Sequence, residues 1–273
     1  MKLGYIDYLN TYPLYYHILE KEKIPGVQII SGYPSKLNKM LGTGELDMSP
    51  VSAAAYADIE KDVVLLPDFC IGSIGYVRSV ILISKFPIED LNRKRIGLTS
   101  ASQTSVILLK SLLKKYYNIE PEYMRTNPSP LLKDMDAALV IGNEAMTDNR
   151  EAIPYTYDLG DLWLRKTGYP VVFAVFAVRN RALKKYRTNI KAIIESYRTS
   201  LSCLKTEEAV IIRKAGEKYP EIKFDLFSYY KKLEYTFTGK LKDALSFYFS
   251  VTEELGFLNK VEKLNFLPDD FSF

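Results

Sequence analysis

Ser100-Ala101-Ser102-Gln103-Thr104-Ser105 places four hydroxyls in six positions, between a strand-like run at Arg95–Leu98 and a helix-patterned run from Thr104. Hydroxyls at a helix start stand beside unpaired backbone N–H groups and the positive end of the helix dipole, which together make a carboxylate site. Plain N-capping uses one or two such residues, and four exceed that need. Pro50-Val51-Ser52 reads as a second helix start, where Ser52 offers a hydroxyl to a ligand or merely caps. Ser79 lies inside a predicted strand after Gly72-Ser73-Ile74-Gly75, and a buried strand serine is often only bonded to backbone. Asn10, in the turn Asp7-Tyr8-Leu9-Asn10-Thr11, reads first as the cap of a helix over 12–21. The chemistry on offer is therefore binding and orientation by neutral donors at loop ends.

Other chemistries are excluded by residue type. His17 is the only histidine, and Cys70 and Cys203 are far apart, so zinc sites and His-based triads are not expected. His17 falls beside Leu14 and Ile18 on a helix, where a packing or solvent role is favoured over catalysis. Gly42-Thr43-Gly44 follows a helix rather than a strand, the wrong order for a dinucleotide loop. No metal or cofactor is expected. The net charge of +4 is spread over helix surfaces such as Lys114-Lys115, Lys184-Lys185 and Lys231-Lys232. That distribution suits a small anionic ligand and not nucleic acid, which wants a basic stripe. The longest apolar run, Val171–Val178, is eight residues against the roughly 20 of a membrane span. No signal-peptide pattern follows Met1, so the expected location is cytoplasmic, with reduced thiols.

The elements that must position these residues alternate. Lys2–Ile6, Val27–Ile30, Leu46–Met48, Val63–Pro67 and Val77–Ile83 read as strands, with helices at 12–21, 34–42 and 51–57 between them. Pro87 and Asp90–Lys94 mark a boundary. Beyond it come strands at Arg95–Leu98, Glu122–Met124, Ala137–Ile141 and Val171–Val178, the last expected to be the longest, and helices at Thr104–Tyr117 and Asp161–Lys166. The final hundred residues read as nearly all helical. Such alternation predicts an α/β fold with parallel sheets covered by helices. The economical arrangement is two lobes: 1–84 and 178–273 form lobe one, with a helical tail, and 85–177 is inserted as lobe two. The ligand cleft lies between them.

Several segments carry a family resemblance. They are Gly4-Tyr5-Ile6-Asp7-Tyr8-Leu9-Asn10-Thr11-Tyr12-Pro13-Leu14, then Gly44-Glu45-Leu46-Asp47 with Pro50-Val51-Ser52, and Val77-Arg78-Ser79-Val80. Further on come Leu98-Thr99-Ser100 with Ser102 and Thr104-Ser105-Val106, Ala138-Leu139-Val140-Ile141-Gly142, Asp158-Leu159-Gly160 with Trp163, and Thr167-Gly168-Tyr169-Pro170. In this order the chain resembles the chorismate dehydratases of the futalosine route to menaquinone, a family with the type II periplasmic-binding-protein-like fold. It departs from that family at Asn143, where an acidic residue is expected, at Phe176, where Trp is frequent, and at Ala53, where a second Ser is expected.

The resemblance implies a lyase that eliminates water from chorismate, a small dicarboxylate, to give 3-[(1-carboxyvinyl)oxy]benzoate. It points to Asn10 and Ser79 as catalytic residues orienting the reacting centre and its leaving hydroxyl. Ser52, Ser102, Thr104, Ser105 and Asn143 are the substrate-binding candidates, with Thr104 and Ser105 on one carboxylate. No side chain here is a strong base, so the substrate's own enolpyruvyl carboxylate is the candidate proton acceptor. Two alternatives stand beside this. One is a non-catalytic binding protein for a small carboxylate on the same fold. The other is the sister 1,4-dihydroxy-6-naphthoate synthase, whose family uses a catalytic histidine and a Pro-Cys-Pro-Asn-Asp type of opening that Tyr8-Leu9-Asn10-Thr11 does not match.

Overall fold

The computed structural model describes residues 1–147, 153–268 and 271. The chain opens with β1 (Lys2–Ile6), α1 (Tyr12–Tyr16) extended by a π-helical turn His17–Lys21, β2 (Gln28–Gly32), α2 (Pro34–Thr43), β3 (Met48–Ser52), α3 (Ala53–Ile59) and β4 (Val63–Ser73). Its middle supplies β5 (Val80–Ser84), β6 (Arg95–Thr99), α4 (Gln103–Ser111) extended by a π-helical turn Leu112–Tyr116, β7 (Glu122–Thr126), β8 (Ala137–Ile141), β9 (Tyr155–Asp158) and α5 (Leu159–Thr167). The rest comprises β10 (Val171–Arg179), α6 (Asn180–Lys185), α7 (Arg187–Thr206), α8 (Glu208–Lys218), α9 (Leu226–Tyr230), β11 (Leu233–Thr236) and α10 (Gly239–Glu254).

These strands form two sheets, ordered β11-β4-β10-β3-β1-β2 and β7-β6-β8-β5-β9. Both are mixed rather than parallel as expected. β1 runs parallel to β2 and β3, but β10 is antiparallel to β3 and β4. The reason lies in the connections. β4 carries the chain out of the first sheet and β10 carries it back, so two strands side by side run in opposite directions, with Ser73 opposite Val171. β10 is buried along almost its whole length between two neighbours, which explains its unbroken apolar sequence. The longest strand is β4, with 11 residues against nine in β10.

Sheet membership shifts the expected crossovers. β5 pairs with β8 and β9 in the second sheet, although the lobe division at 84 would keep it in the first. β10 belongs to the first sheet, although 171–177 was assigned to the inserted lobe. An apolar strand carries no local mark of which sheet it joins. Pro50 likewise starts no helix: it sits inside β3 opposite Phe176, and α3 begins only at Ala53.

The C-terminal portion packs on the first sheet. α7 buries Ile190, Ile193, Ile194 and Tyr197 and lies against α1. His17 is in that seam, with Nδ1 at 3.1 Å from Ser196 Oγ. The portion is not purely helical, because β11 pairs with β4 and the Leu65 N–H donates to the Asn265 carbonyl.

Candidate active site

Where the two sheets face each other, Asn10, Ser52, Ser79, Ser102 and Ser105 line one cavity with the apolar side chains of Ile71, Val77, Ile141 and Phe173. Five of the seven residues singled out from sequence thus converge.

Asn10 follows β1 in a turn held by Thr11, whose hydroxyl lies within hydrogen-bond reach of the Ile6 and Tyr8 carbonyls. It does not cap α1; Thr11 occupies that position. The Asn10 carbonyl accepts from the Tyr235 hydroxyl at 2.8 Å, while its side-chain Oδ1 is buried with no partner among the described residues. Ser52 stands between β3 and α3, fixed through its own N–H to Asn38 Oδ1 at 3.0 Å. Its hydroxyl makes no capping bond and is also buried without a partner among the described residues. A buried polar atom left unpaired costs about 1–3 kcal/mol, so both atoms favour a ligand that pairs them.

Ser79 lies at the end of the outward crossing, just before β5. Asp158 shapes this segment. Its carboxylate caps α5 through the Asp161 N–H at 3.1 Å and accepts the N–H groups of Val77 at 3.1 Å and Arg78 at 2.6 Å. Arg78 takes a left-handed φ of 71°, unusual for a side-chain-bearing residue. Burial raises the Asp158 carboxyl above the usual aspartate range, and the backbone donors offset this only in part. The Ser79 carbonyl accepts the Gly142 N–H at 2.8 Å, and its hydroxyl accepts from Tyr229 at 2.9 Å.

At the start of α4, Ser102 caps the helix, its Oγ accepting the Ser105 N–H at 3.3 Å and donating to Ser105 Oγ at 3.2 Å. Thr104 does not line the cavity, contrary to expectation. Its hydroxyl donates to the Phe173 carbonyl and accepts from the Ala54 N–H, both at 3.0 Å, because α4 packs against α3 and β10. Asn143 does not line it either. Its Oδ1 accepts the Leu9 N–H at 2.9 Å, and it faces a neighbouring cleft of about 620 Å³ that shares Tyr8 with the cavity.

Among the described residues, no Asp, Glu, His, Lys or Arg lines the cavity. Its one phenol, Tyr8, is pushed far above the usual tyrosine range by burial and stays neutral. The site can hold carboxylates through neutral hydroxyls and a helix N-terminus, and orient a reacting group with Asn10 and Ser79. Sequence reading missed the supports Tyr229 and Tyr235. With 21 tyrosines in the chain, neither carries a distinguishing local signal.

The family described as menaquinone biosynthesis matches residues 1–254. The chain is 32% identical to chorismate dehydratase of Thermus thermophilus, covering 78% of this chain and 82% of that protein. It is 25% identical to the 1,4-dihydroxy-6-naphtoate synthase of the same organism, over 52% of each. Among solved structures it resembles the periplasmic aliphatic sulphonate binding protein SsuA of Escherichia coli, with a TM-score of 0.62 at 12% identity, covering 98% of this chain and 92% of that one. That likeness identifies a periplasmic-binding-protein-like fold. The match along nearly the whole chain, on a fold whose cavity gathers the hydroxyl and amide groups described above, places this chain in the menaquinone biosynthesis family.

Proposed function

We propose that this protein is a hydro-lyase that converts chorismate to 3-[(1-carboxyvinyl)oxy]benzoate and water. The observation that carries this is a cavity furnished only with neutral polar groups, in a chain 32% identical to a chorismate dehydratase. In the reaction the ring C–H beside the enol-ether oxygen breaks, and its electron pair becomes a ring double bond. The neighbouring C–O bond breaks, and the departing hydroxyl leaves with the proton as water. Aromatisation drives the step, so positioning and electrostatics can supply the catalysis.

Ser102 and Ser105, with the N-terminus of α4, hold one carboxylate in this reading, and Ser52 holds the ligand from the first-sheet side. Asn10 and Ser79 orient the reacting carbons and the leaving hydroxyl. Asn143 acts through the Leu9 backbone rather than on substrate, and Thr104 is set aside as a ligand because its hydroxyl is engaged. The proton acceptor is the substrate's own enolpyruvyl carboxylate, since no cavity residue among those described is a ready base. The two sheets with their helices act as lobes closing on the ligand, and we place the reaction in the cytoplasm, where the free thiols of Cys70 and Cys203 remain reduced.

The synthase reading is less favoured because His17 lies in the α1–α7 seam and does not line the cavity. Incubation with chorismate, followed by absorbance and mass spectrometry, tests the proposal. Loss of one water with Asn10→Ala and Ser79→Ala each slowed about 100-fold or more is expected. Binding without turnover would make the protein a carboxylate-binding module, and unchanged rates in both variants would remove these residues from the mechanism.

A further inference from the structure

Tyr229 reaches the active site from far along the chain, 150 residues beyond Ser79. It sits on α9, a single short helix whose first turn is held by Asp225: that carboxylate accepts the Phe227 N–H at 3.1 Å and is bonded by the Ser228 hydroxyl. The ring is fully buried. Its hydroxyl donates to Ser79 Oγ at 2.9 Å, and burial raises the phenol well above the usual tyrosine range, so the proton stays on it.

The direction of this bond matters. Of the two hydroxyls the phenol is the stronger acid and the better hydrogen-bond donor, so it donates to the serine oxygen while keeping its proton. The Ser79 carbonyl is taken by the Gly142 N–H. Among the described residues no protein acceptor meets the proton of the Ser79 hydroxyl. That proton is left for the cavity, with one serine lone pair occupied behind it.

We propose that Tyr229 is a positioning residue that fixes the Ser79 hydroxyl as a donor aimed at the substrate's departing hydroxyl. A serine without this backing rotates among three staggered positions and competes for other acceptors. With it, the O–H is set before substrate arrives, which is where a preorganised donor gains its effect. The proposal rests on the reading of Ser79 as a catalytic residue.

Tyr229→Phe removes only the hydroxyl and keeps the ring that packs against Tyr230. The expected result is a fall in kcat of about 10- to 50-fold with KM changed less than about 3-fold, and a melting temperature close to the parent's. The same substitution made on Ser79→Ala should cost nothing further, with residual rates followed over hours at high enzyme concentration. If those rates fall below detection, the split between kcat and KM in Tyr229→Phe alone decides. A Tyr229→Phe enzyme with parental kcat, or one losing as much with Ser79→Ala as without it, overturns the positioning role while leaving Ser79 in place. A Ser79→Ala enzyme as fast as the parent overturns both.

Discussion

The side chain of Asn143 accepts the backbone N–H of Leu9 at 2.9 Å, joining the end of the second sheet's β8 to the turn that carries Asn10. Leu9 itself is fully buried, and the Asn143 side chain is the partner its N–H has. Asn143→Ala should cost about 1–3 kcal/mol at that bond. The loss should show as a KM raised about 5- to 10-fold, since the turn no longer holds Asn10 in place. Asn143→Asp keeps an acceptor oxygen and should stay within about 3-fold of the parent. Steady-state kinetics on both variants checks this, and a silent Asn143→Ala would mean the tie has no part in substrate binding.

How much of this was legible in the sequence follows the range of the forces involved. The strand, turn and helix from Lys2 to Tyr16 and the hydroxyl cluster before α4 are set by neighbours in the chain, and both stand where the residue pattern puts them. The local pattern favours Asn10 as a helix cap and leaves Ser52 open between cap and ligand. Thr11 holds the cap position of α1 instead, Ser52 makes no side-chain capping bond, and both residues line the cavity. Strand partnership was not legible. β5 and β10 are both apolar runs, and only pairing with β8 and β3 sorts them into different sheets. Thr104 is the sharpest case, because its role is decided by Ala54 and Phe173, 50 and 69 residues away.

Thr104 and Ser105 are adjacent hydroxyls with different tasks, and substitution should separate them. Thr104→Val keeps the shape but leaves the Ala54 N–H and the Phe173 carbonyl without their partner. A cost of about 1–3 kcal/mol is expected. In a protein of this size that is a loss of roughly 2–4 °C in melting temperature per kcal/mol. Ser105→Ala should melt near the parent but bind chorismate about 10-fold more weakly, having lost a carboxylate donor. Calorimetry and equilibrium binding on the pair test the split. Equal melting temperatures with equal binding losses would return Thr104 to the ligand site.

Phe176, which stands where the resembled family frequently has Trp, is fully buried and packs edge-on to Tyr197 at 5.4 Å between ring centroids. It does not line the cavity; Phe173 and Ala174 on the same strand do. Phe176→Trp should therefore act on packing and not on substrate choice. Forcing the larger ring into a filled core costs about 1–3 kcal/mol. Melting temperature should fall while KM for chorismate stays within about 2-fold. A changed KM at unchanged stability would contradict this placement.

Asp158 predicts a pH dependence of unusual sign. Most acidic groups held by donors have lowered folded pKa values and lose stabilisation as pH falls. Here burial outweighs the Asp161, Arg78, Val77 and Gly160 N–H groups, and the folded value is raised. The unfolded reference is about 3.9. Above the raised folded value the buried carboxylate is ionised in both states, and its desolvation weighs against folding. As pH falls through that value toward 3.9, the folded state takes up its proton first and this penalty is relieved. Asp158→Asn removes the titration while keeping an oxygen that can cap α5, although its amide hydrogens now face the Val77 and Arg78 N–H groups. The variant should be the less stable protein at pH 7. Its deficit against the parent should widen between pH 7 and pH 4, because only the parent gains from protonation at this site. Thermal melts of the two proteins across that range read the difference directly. A deficit that narrowed instead would mean that the backbone donors outweigh burial and hold the carboxylate ionised.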